Sequence, residues 1–266
     1  MATDADLRDS LLASDLDPVG RLVDSSNNAL VVRFEHGGKE EAAVYKPASG
    51  ERPLWDFPDA TLARREVAAY LLSDLLGWNQ VPLTVWREDG PAGPGMCQLW
   101  VDGTAPDDYI HLFRPQAVPA DWLPILDGRD ATNEPVVLAH ADSSVLERLV
   151  IFDYLANNAD RKAGHLIAGA DSQGSRLWAI DHGITFHAEP KLRTVLWGFA
   201  QREIPADLLT AVRRFLDDVP IFAELVREHL SAEEIAAVSH RAVELLRNAE
   251  FPVPSGQSPA VPWPIF

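Results

Sequence analysis

Apolar positions recur along the chain with two different periods. In the first hundred residues they fall in short runs. Val19 to Val23, Ala29 to Phe34 and Ala42 to Lys46 predict a small antiparallel sheet, with His36-Gly37-Gly38-Lys39 as the turn between the last two. From Thr61 to Leu76 the spacing becomes helical: apolar residues cover one broad face, Asp59 or Thr61 stands at the cap, and Gly77 ends the run. Val81 to Trp86 and Met96 to Val101 are again strand-like and are joined by the loop GPAGPG. Thr104 to Asp142, rich in Pro and Asp, predicts loops around short helical pieces. Ser144-Val145-Leu146-Glu147 reads as a capping box opening a helix whose core face is Leu146, Leu149, Val150 and Phe152, with Asp153 as a structural acceptor. His165 opens a short strand, and the turn at Asp171 to Gly174 closes a hairpin onto Leu177 to Ile180. Amphipathic helices are predicted over Pro205 to Phe215, Ile221 to Leu230 and Ser231 to Asn248, the last opened by the box Ser231 to Glu234. The stretch FPVPSGQSPAVPWPIF has too many prolines for helix or strand and reads as an extended tail.

This order predicts a first lobe over residues 1-103, a second over 104-250 and a Pro-rich tail over 251-266. Composition adds limits. A hydrophobic content of 47% can fill a sizeable core. The formal net charge of -17 excludes nucleic acid and anionic membrane as expected partners, because an acidic surface repels both. A single cysteine, Cys97, permits no internal disulfide, and the acidic start MATDADLRDSLL lacks the basic region of a signal peptide. No apolar run approaches the ~18 residues of a membrane helix. A cytoplasmic protein without stable membrane association is the expectation.

The chemistry concentrates between Leu146 and Phe186. Asp160 and Asp181 stand on loops at the ends of predicted elements, and the hairpin between them brings His165 toward Asp181. Two such carboxylates suit phosphoryl transfer, where one Asp handles the acceptor hydroxyl and another holds magnesium against ATP phosphates. Lys46 ends an apolar strand, and Glu66 lies on the predicted helix among Leu62, Ala69, Tyr70 and Leu71. A carboxylate buried there needs a cation, and Lys46 is the natural one; the alternative is a Glu66 that faces solvent beside Arg64 and Arg65. Neither a dinucleotide-binding glycine fingerprint nor a P-loop is present.

The run ERLVIFDY (Glu147 to Tyr154), the loop Asn158-Ala159-Asp160-Arg161 and the segment AIDHG (Ala179 to Gly183) resemble the phosphatidylinositol 3/4-kinase-like superfamily, and within it the type II phosphatidylinositol 4-kinases. The resemblance extends to the E-x-x-AYL helix at Glu66 and to QLWVDG, which matches the family's hinge. It implies an α+β, two-lobed, protein-kinase-like (PI3/4-kinase-like) fold, with a small antiparallel sheet lobe and a mostly helical lobe. It also implies an ATP-dependent kinase with a Mg2+ (or Mn2+) cofactor. Asp160 and Arg161 form the catalytic loop by this resemblance, and Asp181 is a metal ligand. His165 stands where the family has a metal-binding Asn, either as a ligand or as a packing residue. Ser25, Ser26 and Asn27 fall in the hairpin that covers the nucleotide phosphates, though an ordinary polar turn has the same composition. Trp100 and Val101 fall at the adenine hinge, though an aromatic strand residue is also ordinary core. As a ligand, His165 would favour manganese over magnesium, and metal-dependent activity would fall as pH drops through the low sixes. The expected acceptor is a protein or a small polar molecule. The competing expectation is a nucleotide-binding pseudokinase that acts as a scaffold.

Overall fold

The structure is a computed structural model that describes residues 4–22, 28–58, 60–171, 174–256 and 259–266. Its first half is built on an antiparallel sheet of five strands in the order β1-β2-β3-β5-β4: β1 (Asp17–Arg21), β2 (Leu30–His36), β3 (Lys39–Pro47), β4 (Thr84–Gly90) and β5 (Gly93–Leu99). Strand alternation sets which side chains meet the core. On β2 and β3, Val32, Phe34, Ala43 and Tyr45 face one side, where they pack with Leu11 of helix α1 (Asp4–Ala13), Val85 and Cys97. Lys46 faces the opposite side, across from Met96 of β5, and there helix α2 (Leu62–Leu75) covers the sheet. The chain therefore presents Lys46 and α2 to each other by register alone.

Helix α1 lies where the sequence analysis placed no element. Its signal is short: Leu7 and Leu11, one turn apart, pack on the sheet, while Arg8, Asp9 and Leu12 between and beside them are exposed. The segment 104–142 also differs from expectation. It is a three-stranded antiparallel sheet in the order β6-β8-β7, with β6 (Ile110–Phe113), β7 (Trp122–Arg129) and β8 (Pro135–Ala141). The prolines mislead because three of them, Pro106, Pro115 and Pro119, lie between the strands and the other two sit where a strand tolerates one. Pro135 starts β8, and Pro124 lies on the edge strand β7 beside a register shift. The central strand β8 is buried almost throughout, as its run Val136-Val137-Leu138-Ala139 requires. The second half is consequently mixed and not mostly helical.

Helix α3 (Ser144–Leu155) leads into the catalytic-loop candidate, and the hairpin β9 (Leu166–Asp171) and β10 (Gly174–Ala179) follows it. The cap of α3 is Ser143, whose side chain makes no capping bond, so the expected box at Ser144 to Glu147 does not form. The box at Ser231 to Glu234 does form and opens α6 (Ala232–Asn248), which packs with α4 (Ala206–Asp217) and α5 (Val219–Val226). One large core runs from Val67, Leu71 and Leu72 of α2 through Met96 to Leu149 and Phe152 of α3, and on to Phe222 and Val238. Gly103 allows the hinge strand to lie against β9: a side chain there would meet the Ala168 carbonyl at 2.5 Å, and Thr104 and Ala168 exchange backbone hydrogen bonds beside it.

Candidate active site

Lys46 Nζ donates to Glu66 Oε1 at 2.7 Å and to Asp181 Oδ1 at 2.9 Å. Glu66 is 1% exposed, and its other oxygen accepts from the backbone N–H of His182 at 2.8 Å. The alternative of a solvent-facing Glu66 is thus excluded. Its neighbour Arg65 is buried as well, donating to the Thr185 carbonyl and to Glu234, both at 2.6 Å. These bonds, with Arg64 donating to the Glu228 carbonyl, tie α2 to the second half of the chain. Burial works against the Lys46 ammonium, but Asp181 and Glu66 outweigh it and hold its pKa above the ordinary lysine range. The ammonium in turn holds Asp181 well below the usual carboxylate range, against burial. Burial also pushes Glu66 up, and Lys46 opposes it. Since both Glu66 oxygens accept strong donors, we describe it as a carboxylate.

The loop after α3 is shaped by two asparagines. Asn157 adopts a left-handed conformation with φ of 49° and donates to the His187 and Glu189 carbonyls while accepting from the Lys191 N–H. Asn158 accepts from the Asp160 N–H at 2.9 Å and donates to Asp153 at 2.9 Å. Asp160 emerges partly exposed, with Lys162 Nζ 3.1 Å from its carboxylate. Burial raises the Asp160 pKa, and the Lys162 hydrogen bond opposes the rise.

Arg161 is fully buried beneath this loop and does not face solvent. Its guanidinium grips Asp153 with two bonds of 2.9 Å, and Nη2 also donates to His182 Nε2 at 2.7 Å. From that place it can position the loop but not touch an acceptor. Asp153 is the structural acceptor expected of it. His182, assigned no role from the sequence, is an integral part of the network, and so is Lys162. For Lys162 a signal existed: it stands two residues beyond Asp160 in an extended segment, which puts both side chains on one side. For His182 none existed, because its partner Arg161 is distant in sequence.

The hairpin brings His165 Nε2 to 3.4 Å from Asp181 Oδ2. His165 Nδ1 is buried and meets no hydrogen-bond partner among the described residues. Burial lowers the His165 pKa to about 4, so the imidazole is neutral across the physiological range. Burial thus runs against the expected fall in the low sixes and moves protonation of this ring to lower pH. Among the described residues no group of three or more His, Cys, Asp or Glu side chains forms a metal cage. His165 and Asp181 offer two converging donors. Such a pair suits an ion that arrives with a nucleotide, since magnesium is commonly held by one or two protein ligands together with substrate phosphates and waters. Asp181 sits at φ of 60°, a conformation Asp tolerates better than most residues.

Trp100 follows β5 directly; its N–H bonds the Ala42 carbonyl and its ring is 40% exposed, while Val101 is half-buried. Ser25, Ser26 and Asn27 lie outside the described residues.

The five-stranded sheet, helix α2 packed on it and the loops that carry Asp160 and Asp181 make up a kinase-like fold. The structure of hydra Fam20 with sugar shares it, with a TM-score of 0.61 over 94% of this chain and 89% of that one at 14% identity. A Helicobacter pylori proinflammatory kinase, CtkA, matches with a TM-score of 0.41 and 13% identity over 88% of this chain and 97% of that one. No family model matches. At the sequence level the chain is 45% identical to protein Rv2133c of Mycobacterium tuberculosis over 267 residues, 96% of this chain and 94% of that protein, and it belongs to the same family.

Proposed function

We propose that the protein is an ATP-dependent phosphotransferase with a PI3/4-kinase-like catalytic site, moving the ATP γ-phosphoryl group to a hydroxyl acceptor. The observation that carries the reading is Lys46 held between Glu66 and Asp181, because a fixed cation beside an ionised carboxylate suits a nucleotide's phosphates and their metal. In this reading Lys46 meets the phosphate oxygens while Glu66 keeps it aimed, and Asp181 would help to hold a divalent ion that neutralises phosphate charge. Asp160 orients the acceptor hydroxyl and takes its proton. Its burial-raised pKa improves it as a base. Lys162, in contact with Asp160, neutralises charge on the transferring group. Arg161 and His182 hold the Asp160 loop and the Asp181 loop in register. Trp100 and Val101 take the adenine.

A divalent ion bound by Asp181 and His165 supplies charge neutralisation on the phosphates. The buried imidazole supports this assignment. His165 Nε2 and Asp181 Oδ2 lie 3.4 Å apart, so a divalent ion would find an imidazole nitrogen and a carboxylate oxygen side by side there.

The acceptor is a protein or small polar molecule and not a bilayer lipid. The support is the net charge of -17 and the lack, among the described residues, of any helix long and apolar enough to cross a membrane. Purified protein incubated with labelled ATP and magnesium or manganese is expected to hydrolyse ATP slowly or to transfer label. No turnover with either ion, with ATP binding retained, would leave the pseudokinase reading standing. Efficient phosphorylation of phosphatidylinositol in vesicles would overturn the acceptor class.

A further inference from the structure

A cavity of about 230 Å³ opens on the far side of the 187–192 segment, between it, the end of α3 and α6. Its walls include Leu192, Trp197 and Val253, and its polar groups include Tyr154, Glu244 and Arg241. Arg241 is only 9% exposed. Its Nε donates to the Leu155 carbonyl at 2.9 Å and Nη1 approaches the His187 carbonyl at 3.5 Å, but Nη2 has no partner among the described residues. A buried guanidinium with an unused edge carries a large desolvation cost, which an acceptor oxygen delivered by a ligand would offset. None of these groups belongs to the Lys46, Asp160 and Asp181 site.

We propose that this cavity binds a small organic monocarboxylate with an apolar body. The carboxylate fits because one of its oxygens can accept from the unpartnered Nη2, while Leu192, Trp197 and Val253 cover an apolar stem. A single negative charge fits better than a dianion. Glu244 already lines the cavity, its carboxylate accepting from Tyr154 Oη at 2.9 Å, so a second negative charge on the ligand would have to be balanced by Arg241 and the neighbouring His240 alone. The site is also wired to the reaction centre. Asn157, which lines the cavity, holds the His187 and Glu189 carbonyls and the Lys191 N–H, and it lies three residues before Asp160. Filling the cavity therefore acts on the loop that carries Asp160.

Binding is read directly by calorimetry on the intact protein, with benzoate and hexanoate as probes, benzamide as the uncharged analogue and phenyl phosphate as the dianion. Saturable binding of at least one carboxylate is expected, at least tenfold tighter than benzamide or phenyl phosphate. Arg241→Met is expected to abolish it. Because Arg241 also bonds the Leu155 carbonyl, Ala237→Leu serves as the second variant: Ala237 lines the cavity on α6, and a larger side chain there blocks the cavity without removing a hydrogen bond. Loss of binding in a folded Ala237→Leu protein supports the site. Absence of saturable carboxylate binding overturns the proposal, as do undiminished binding in Ala237→Leu and preference for phenyl phosphate. All readouts are independent of phosphotransfer.

Discussion

Nη2 of Arg161 lies 2.7 Å from Nε2 of His182. A guanidinium only donates, so Nε2 is the acceptor and the imidazole carries its proton on Nδ1, 3.9 Å from Glu66 Oε2. Burial and the adjacent Arg161 push the His182 pKa far below its ordinary value, which keeps the ring neutral. A polar chain runs from Asp153 through Arg161 to the His182 ring and continues from the His182 backbone N–H, at 2.8 Å, to Glu66 and Lys46. It joins the helix before the Asp160 loop to the strand of the first sheet.

Arg161→Met should therefore act on stability first. It leaves Asp153, 1% exposed, without its cation, and breaking one side of a buried pair costs about 3–5 kcal/mol. Urea unfolding followed by circular dichroism is expected to show a loss of that order. A loss below ~1 kcal/mol would mean that Asn158 and the backbone satisfy Asp153 alone.

Asp160 and Lys46 should separate in their effects. Asp160→Asn removes a group that works on the transition state, so kcat is expected to fall by about 10²-fold or more while ATP affinity stays within about threefold. Lys46→Ala is expected to weaken both, since the ammonium meets the phosphates in the ground state as well. Equal loss of nucleotide affinity in the two variants, measured by fluorescent-nucleotide titration, would refute this division of roles.

His165→Asn tests the metal ligand. Imidazole nitrogen suits manganese better than magnesium, which prefers oxygen. The ratio of magnesium-supported to manganese-supported activity is expected to rise severalfold in the variant at saturating ATP. An unchanged ratio would make His165 a packing residue.

Stability should also depend on pH through buried histidines outside the site. His229 has its pKa lowered to about 4 by burial and by Arg64, and its Nδ1 is buried with no partner among the described residues. The unfolded chain, with an ordinary value near 6.5, binds this proton first as pH falls. Stability is accordingly full above about pH 6.5 and declines as pH drops toward about 4. Allowing for the partial exposure of the ring, His229 contributes on the order of 1 kcal/mol to the difference between pH 7.5 and 5. His229→Gln is expected to narrow the gap between urea midpoints at those two values; an identical gap would remove His229 from the account.

Local pattern by itself determined most elements near the site. The alternation on β3 placed Lys46 on the face opposite Tyr45, the helical period of α2 placed Glu66 on its inner face, and the pairing of β9 with β10 carried His165 back to Asp181. These are short-range consequences of period and turn chemistry, and the motifs around Asp160 and Asp181 are contiguous runs. Other features depended on partners distant in sequence. The strands of 104–142 were masked by prolines that only the sheet's edges and ends could accommodate, and α1 forms because two leucines find the sheet. Arg65 and Arg161 carry no mark in the sequence that distinguishes a surface cation from a buried one. Tertiary structure decided that, because a guanidinium is buried only where carbonyls and carboxylates from several segments converge on it, as Thr185 and Glu234 do on Arg65, and Asp153 and Ile180 do on Arg161.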